Sequence, residues 1–265
     1  MLDIFERNKS KHISKTGMCF LFSIIIMTAS FSYAQIKTSP DSYIISDKFD
    51  FVIAPIADLG EPLVLWATNY HLPEIENGNG NFPLRDVDGI ELGPRVSLAE
   101  WCKSALEGTV RILYDDGRVK TFNYDTSTDL FPNDCSAYYP FNLGNSKFKK
   151  SRGPFGEGSR NFRLAPYRTL ATDPTIIPTG TVLFIPEARG AKIILKNNET
   201  IIHDGYFFAG DMGGAIKLNH VDVFIGLHKD SSFFPWVSNS SSRTFKAYII
   251  KDVAIVNELT HLHRY

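Results

Sequence analysis

Asp211 and Asp222 stand eleven residues apart, each at the edge of an apolar run, with Gly213, Gly214 and Lys217 between them. Phe207-Phe208-Ala209 leads towards the first and Val223-Phe224-Ile225-Gly226 follows the second. A carboxylate in an apolar run is costly to bury unless a partner or a reaction uses it. Two of them beside glycines, which let a ligand approach the backbone, point to acid/base chemistry. Period-two alternation in Val221-Asp222-Val223-Phe224 turns Asp222 to the face opposite Val221 and Val223. The plain alternative is an outward-facing strand carboxylate. For Asp211 the alternative is a turn residue holding backbone N–H groups, and Asp173, before Pro174, reads equally as an Asx turn. Lys217 is ordinarily solvated, but beside two carboxylates it would tune their protonation or meet a carboxylate of a ligand. His203 and His220 lack ligand-like spacing, so no metal or other cofactor is expected. No Gly-x-Ser-x-Gly elbow and no phosphate-binding glycine loop is present.

The elements that would position these groups are mostly strands. Apolar runs at 62–70, 181–185, 191–195, 200–208, 221–225 and 244–256 read as strands, and Asn197-Asn198 as a turn. Residues 109–114 and 118–124 flank Asp115-Asp116-Gly117 as a β-hairpin. The one clear short helix is 97–106, with Ser97 as N-cap, Glu100 completing a capping box and Gly108 ending it. Residues 71–88 read as a loop, and the Gly-, Ser- and Lys-rich stretch 142–160 as a long flexible insertion, a candidate groove wall. Many short strands and few helices predict a mainly β barrel or sandwich.

The N-terminus reads as a secretory signal. Arg7, Lys9, Lys11 and Lys15 precede an apolar run at 18–29, and Ser32-Tyr33-Ala34 offers a cleavage site before Gln35. Cys19 precedes the apolar run and does not read as a lipidation site. No later stretch approaches membrane-spanning length. Without residues 1–34 the chain carries 24 basic and 27 acidic groups, a net charge of -3 that argues against a nucleic-acid partner. In an exported chain the two remaining cysteines, Cys102 and Cys135, most simply form one disulfide; two separate buried thiols are the alternative.

The stretch around Asp211 and Asp222 resembles the three-aspartate, or 3D, domain of cell-wall-cleaving proteins. That family includes the A-type membrane-bound lytic murein transglycosylases and secreted wall-binding proteins. The resemblance extends to Pro166-Tyr167-Arg168-Thr169-Leu170-Ala171-Thr172-Asp173-Pro174 and to Ile177-Pro178-Thr179-Gly180-Thr181. It places the family's three aspartates at Asp173, Asp211 and Asp222. Trp66-Ala67-Thr68-Asn69-Tyr70 looks like the Ala-Thr-x-Tyr strand that opens the family's barrel, which brings Tyr70 to the site. The implied fold is a six-stranded double-psi β-barrel. Around it the expected organisation is a signal at 1–34, a leading segment at 35–60, a barrel at 61–257 with an insertion near 71–160, and a tail at 258–265.

The resemblance implies cleavage of the MurNAc-GlcNAc β-1,4 bond of peptidoglycan by an exported monomer, periplasmic or extracellular. Asp222 would be the acid/base, assisted by Asp211, with Asp173, Gly213, Gly214, Lys217 and Tyr70 binding sugar. Glycoside hydrolases use two carboxylates. A lytic transglycosylase needs one, because the muramic acid's own 6-hydroxyl attacks and closes a 1,6-anhydro ring. To stay protonated near neutrality, Asp222 must titrate well above the usual ~3.9, and two units correspond to roughly 2.7 kcal/mol. The alternatives are a non-catalytic glycan-binding module and a β-1,4-glucan hydrolase on the same kind of barrel.

Overall fold

A computed structural model describes residues 47–52, 59–78 and 80–265. The expected signal segment, its expected cleavage site and Cys19 lie outside the described residues, as do parts of the expected leading segment.

The chain runs β1 (Leu63–Tyr70), β2 (Glu74–Glu76), β3 (Phe82–Arg85), β4 (Glu91–Val96), α1 (Leu98–Glu107), β5 (Thr109–Leu113), β6 (Val119–Ser127) and β7 (Ser146–Lys150). It continues through β8 (Thr169–Ala171), β9 (Val182–Phe184), β10 (Lys192–Ile194), β11 (Thr200–Ile202), β12 (Tyr206–Asp211), β13 (His220–Phe224), β14 (Phe245–Ile249) and α2 (Val253–Leu262). Six strands close into a barrel in the order β1-β13-β8-β12-β9-β14, with β14 pairing back to β1. The barrel is mixed: β1 with β13 and β8 with β12 are parallel, and the other neighbours are antiparallel.

Alternation explains how this sequence closes. Leu65, Ala67, Leu170, Leu183, Phe207, Ala209, Val221, Val223 and Ala247 all belong to one buried core. Each sits at every second position of its strand, so one face of every barrel strand points inward. The continuous apolar run of β12 has a second cause. Tyr206 and Phe208, on its other face, join Phe184, Tyr248 and Leu259 in a separate buried cluster under α2. A strand buried on both faces needs no polar alternation.

A second core belongs to residues 74–150. The sheet β2-β5-β6-β7 packs with α1 around Ile75, Leu84, Trp101, Ile112, Phe122 and Phe148. Ser97 and Glu100 form the expected capping box, and Gly108 ends α1 at φ 71. Cys102 on α1 is bonded to Cys135, closing a loop of 33 residues.

Three sequence expectations give way here. Residues 71–88 and 142–160 are not wholly loop, because β2, β3 and β7 find sheet partners there. The helix at 98–107 is one of two among the described residues. The apolar run 244–256 is split: β14 ends at Ile249, and Asp252 caps α2 by accepting hydrogen bonds from the N–H groups of Ala254 and Ile255. Short apolar runs fit either state, and here the cap decides.

Candidate active site

The parallel pair β1–β13 builds the site by register. Trp66 opposes His220, Thr68 opposes Asp222 and Tyr70 opposes Phe224. Opposed residues share a face, and this one is turned away from Val221 and Val223. Each pair is in contact. Trp66 and His220 stack with centroids 3.7 Å apart. The Thr68 hydroxyl lies 2.7 Å from Oδ1 of Asp222 as its donor. The Tyr70 and Phe224 rings are 5.1 Å apart.

The neighbouring strand brings in Asp211. Ala171 on β8 is the register partner of both Asp222 on β13 and Asp211 on β12. The two carboxylates therefore flank a single methyl group. The β8–β12 register shifts between Ala209 and Asp211, a bulge at Gly210 that re-aims the following side chain. The Tyr70 hydroxyl donates to Oδ2 of Asp211 at 2.9 Å, and the Met212 N–H donates to Oδ1 at 2.8 Å. Gly158 closes over this point: a Cβ there would stand 2.5 Å from the Gly210 carbonyl oxygen and 3.0 Å from Cβ of Asp211. The insertion thus reaches the site at a position that only glycine fits.

Both carboxylates are held towards the acid form. Burial raises the pKa of Asp222 to about 7, with Glu107 and Asp211 adding to the rise and the Thr68 hydrogen bond opposing it. Burial likewise raises Asp211 to about 6, against the hydrogen bonds from Met212, Tyr70 and Ser159. Glu107 comes from the last position of α1 and accepts the His71 N–H at 3.1 Å. The Tyr70 phenol is pushed up by burial and then by Asp211, so it stays a donor at neutral pH.

The remaining expected residues divide. Asp173 is spent on the fold: Oδ1 accepts from the Thr175 N–H and hydroxyl, and Oδ2 accepts from the Leu218 N–H at 2.9 Å. Those bonds hold its pKa low and tie the end of β8 to the segment before β13. Lys217 is exposed and adds to the lowering of Asp173. Neither Gly213 nor Gly214 has positive φ, so close approach of a ligand to the backbone is the use of these glycines that stays open. A Cβ on Gly213 would meet the side chain of Ile216, and one on Gly214 would meet nothing within 4 Å. The sequence assigns no role to Thr68, Glu107, Ala171 or Gly158, and weighs His220 only as a metal ligand. Thr68 and Ala171 carry a signal, their places in the Ala-Thr-x-Tyr strand and in the stretch 166–174. Among the described residues no cluster of three or more His, Cys, Asp or Glu is placed to hold a metal ion. No helix among them is long and apolar enough to cross a membrane.

Six strands close into a mixed barrel that carries two aspartates held towards the acid form, and the 3D domain family model matches residues 168–233, the span that holds β8, β12, β13 and all three aspartates. The fold resembles that of Escherichia coli MltA, solved with bound chitohexaose, at a TM-score of 0.50 and 16% identity over 70% of this chain and 71% of that one. It also resembles a membrane-bound lytic murein transglycosylase from Agrobacterium tumefaciens, at a TM-score of 0.50 and 13% identity over 73% and 75% of the two chains. At these identities the likeness is one of fold. No curated protein matches the chain by sequence.

Proposed function

We propose that this protein is an exported lytic transglycosylase of peptidoglycan, with Asp222 as its single acid/base. The observation that carries the reading is the state of Asp222: half-buried, anchored by Thr68, and raised to about 7 beside Asp211. An acid poised there can both give and take a proton at neutral pH.

The chemistry follows from those groups. Asp222 protonates the glycosidic oxygen as the C1–O bond of the muramic acid breaks, leaving a carboxylate. The sugar's 6-hydroxyl then attacks C1, and Asp222 takes its proton, which restores the acid. Asp211, titrating near 6, is largely ionised at pH 7 and so favours positive charge developing at C1. Tyr70 orients Asp211. Asp173 shapes the segment from which exposed Lys217 and open Gly214 can meet sugar. The chitohexaose held by the E. coli relative supports a glycan ligand for this barrel, and the Cys102–Cys135 bond supports an oxidising destination.

Mass spectrometry of products from purified peptidoglycan tests the reading. The expected products carry 1,6-anhydromuramic ends, and Asp222→Asn should lower the rate by about 10²–10⁴-fold while glycan binding survives. Reducing ends would make water the nucleophile and the protein a hydrolase. Binding without any product from wild type would make it a wall-binding module.

A further inference from the structure

Thr68 has one hydroxyl hydrogen and two partners for it. Its Oγ1 lies 2.7 Å from Oδ1 of Asp222 and 2.9 Å from Nε2 of His220. The His220 ring is buried and stacks on Trp66 with the planes 5° from parallel. The stack fixes the plane of the ring, so the variable that remains is which ring nitrogen carries hydrogen. Burial disfavours the charged ring, and the Ala215 backbone favours it. Among the described residues, the charged groups on the segments next to His220 include Asp222, reached through Thr68, Lys217, whose carbonyl accepts the His220 N–H at 3.1 Å, and Asp173, which accepts the Leu218 N–H at 2.9 Å.

We propose that His220, acting through Thr68, is a positioning residue that decides which oxygen of Asp222 carries the acid proton. The inference rests on reading Asp222 as the general acid. Counting hydrogens gives two arrangements. With hydrogen on Nε2, His220 donates to Thr68 and Thr68 donates to Oδ1. The acid proton then sits on Oδ2, free to meet a glycosidic oxygen. With a neutral ring carrying its hydrogen on Nδ1, Nε2 takes the Thr68 hydrogen. Oδ1 keeps its short contact only by bringing the acid proton to Thr68, turned away from substrate. Passing between the two exchanges Nδ1–H for Nε2–H and Oδ1–H for Oδ2–H through solvent, with no change in total charge. A second proton on the ring occupies both nitrogens and compels the outward arrangement.

The kinetic signature is a pH profile with two stages. As pH falls, wild-type kcat should climb first with the protonation of Asp222 and again as His220 gains its second hydrogen, while KM stays flat. His220→Phe keeps an aromatic ring against Trp66 and leaves the Thr68 hydrogen to Oδ1 at every pH. The second stage should vanish, and kcat at pH 7 should rise by up to about tenfold, the effect of one ordinary hydrogen bond. Thr68→Ser should keep both stages. A His220→Phe profile that overlays wild type overturns the proposal. Nitrogen-15 NMR of the His220 ring reads the same unit without turnover. Ionised Asp222 can only accept from Thr68, so the ring should move towards the Nε2–H form as Asp222 loses its proton; the amide of Asp222→Asn can donate to Thr68 at every pH, so the variant should lose that step. An unchanged ring titration and tautomer in that variant overturns the proposal as well. If the ring responds but wild type cuts no glycan, the hydrogen-bonded unit stands and the enzymatic reading falls.

Discussion

At the scale of residues, Asp222 sets a conflict between function and stability. A carboxyl whose folded pKa is raised keeps its proton where the unfolded chain loses it. Stability therefore falls as pH rises from the unfolded value, near 3.8, through the folded value of about 7. Asp222→Asn does not titrate in that window. The variant should melt higher than wild type at pH 8, by a few degrees at ~2–4 °C per kcal/mol, and the gap should narrow towards pH 4. Calorimetry at the two pH values checks this, and a variant that melts lower at pH 8 would show that ionised Asp222 stabilises the fold. The two aspartates of the site were legible in the sequence because each interrupts an apolar run. Their partners were not. Thr68 and His220 reach Asp222 from a strand partner over 150 positions away or from an unremarkable neighbouring position, and Ala171 looks like any small strand residue until it is seen between two carboxylates.

At the scale of elements, the helix matters for where it ends. The capping box starts α1 at Leu98 and the left-handed Gly108 stops it, which fixes Glu107 at its last position. That carboxylate adds to the rise in the pKa of Asp222. Glu107→Gln should lower that pKa, so the loss of activity on raising the pH should begin at a more acid value. A pH profile of kcat measured beside wild type would show the move, and coincident alkaline limbs would free Glu107 of any influence. The helix itself was plain in the sequence because its signals are local. The three residues of β8 are too few to show a period, and the apolar run that leads into α2 fits strand and helix alike.

At the scale of the whole molecule, the order of strands around the barrel was beyond any local pattern, and the family resemblance had to supply it. The Cys102–Cys135 bond lies in the second core, not in the barrel. Replacing both cysteines by serine should cost about 3–4 kcal/mol on the chain-entropy view of a 33-residue loop. Hydrogen exchange should show the loss concentrated at α1 and β5–β7. Equal loosening of β8, β12 and β13 would mean that the two cores unfold as one.

One buried cation limits how far the chain can be shortened. The guanidinium of Arg168, fully buried on the approach to β8, bonds Asp47 at 2.7 and 3.0 Å, Asp204 at 2.5 and 2.8 Å and the Tyr206 carbonyl at 2.7 Å. Phe49 lies against it at 4.0 Å. The residues just before the barrel therefore supply one of the two carboxylates that balance this buried cation. A protein trimmed to begin at residue 59 would keep every barrel strand yet leave that cation with one carboxylate, a loss of about 3–5 kcal/mol for a broken buried pair. It should express poorly or melt far below a version that begins at residue 47 or earlier, and equal melting of the two would show the leading segment to be dispensable. The smallest portable unit of this fold starts upstream of its first strand, so fusions, domain grafts and proteolytic maturation all have to respect a boundary drawn by Asp47.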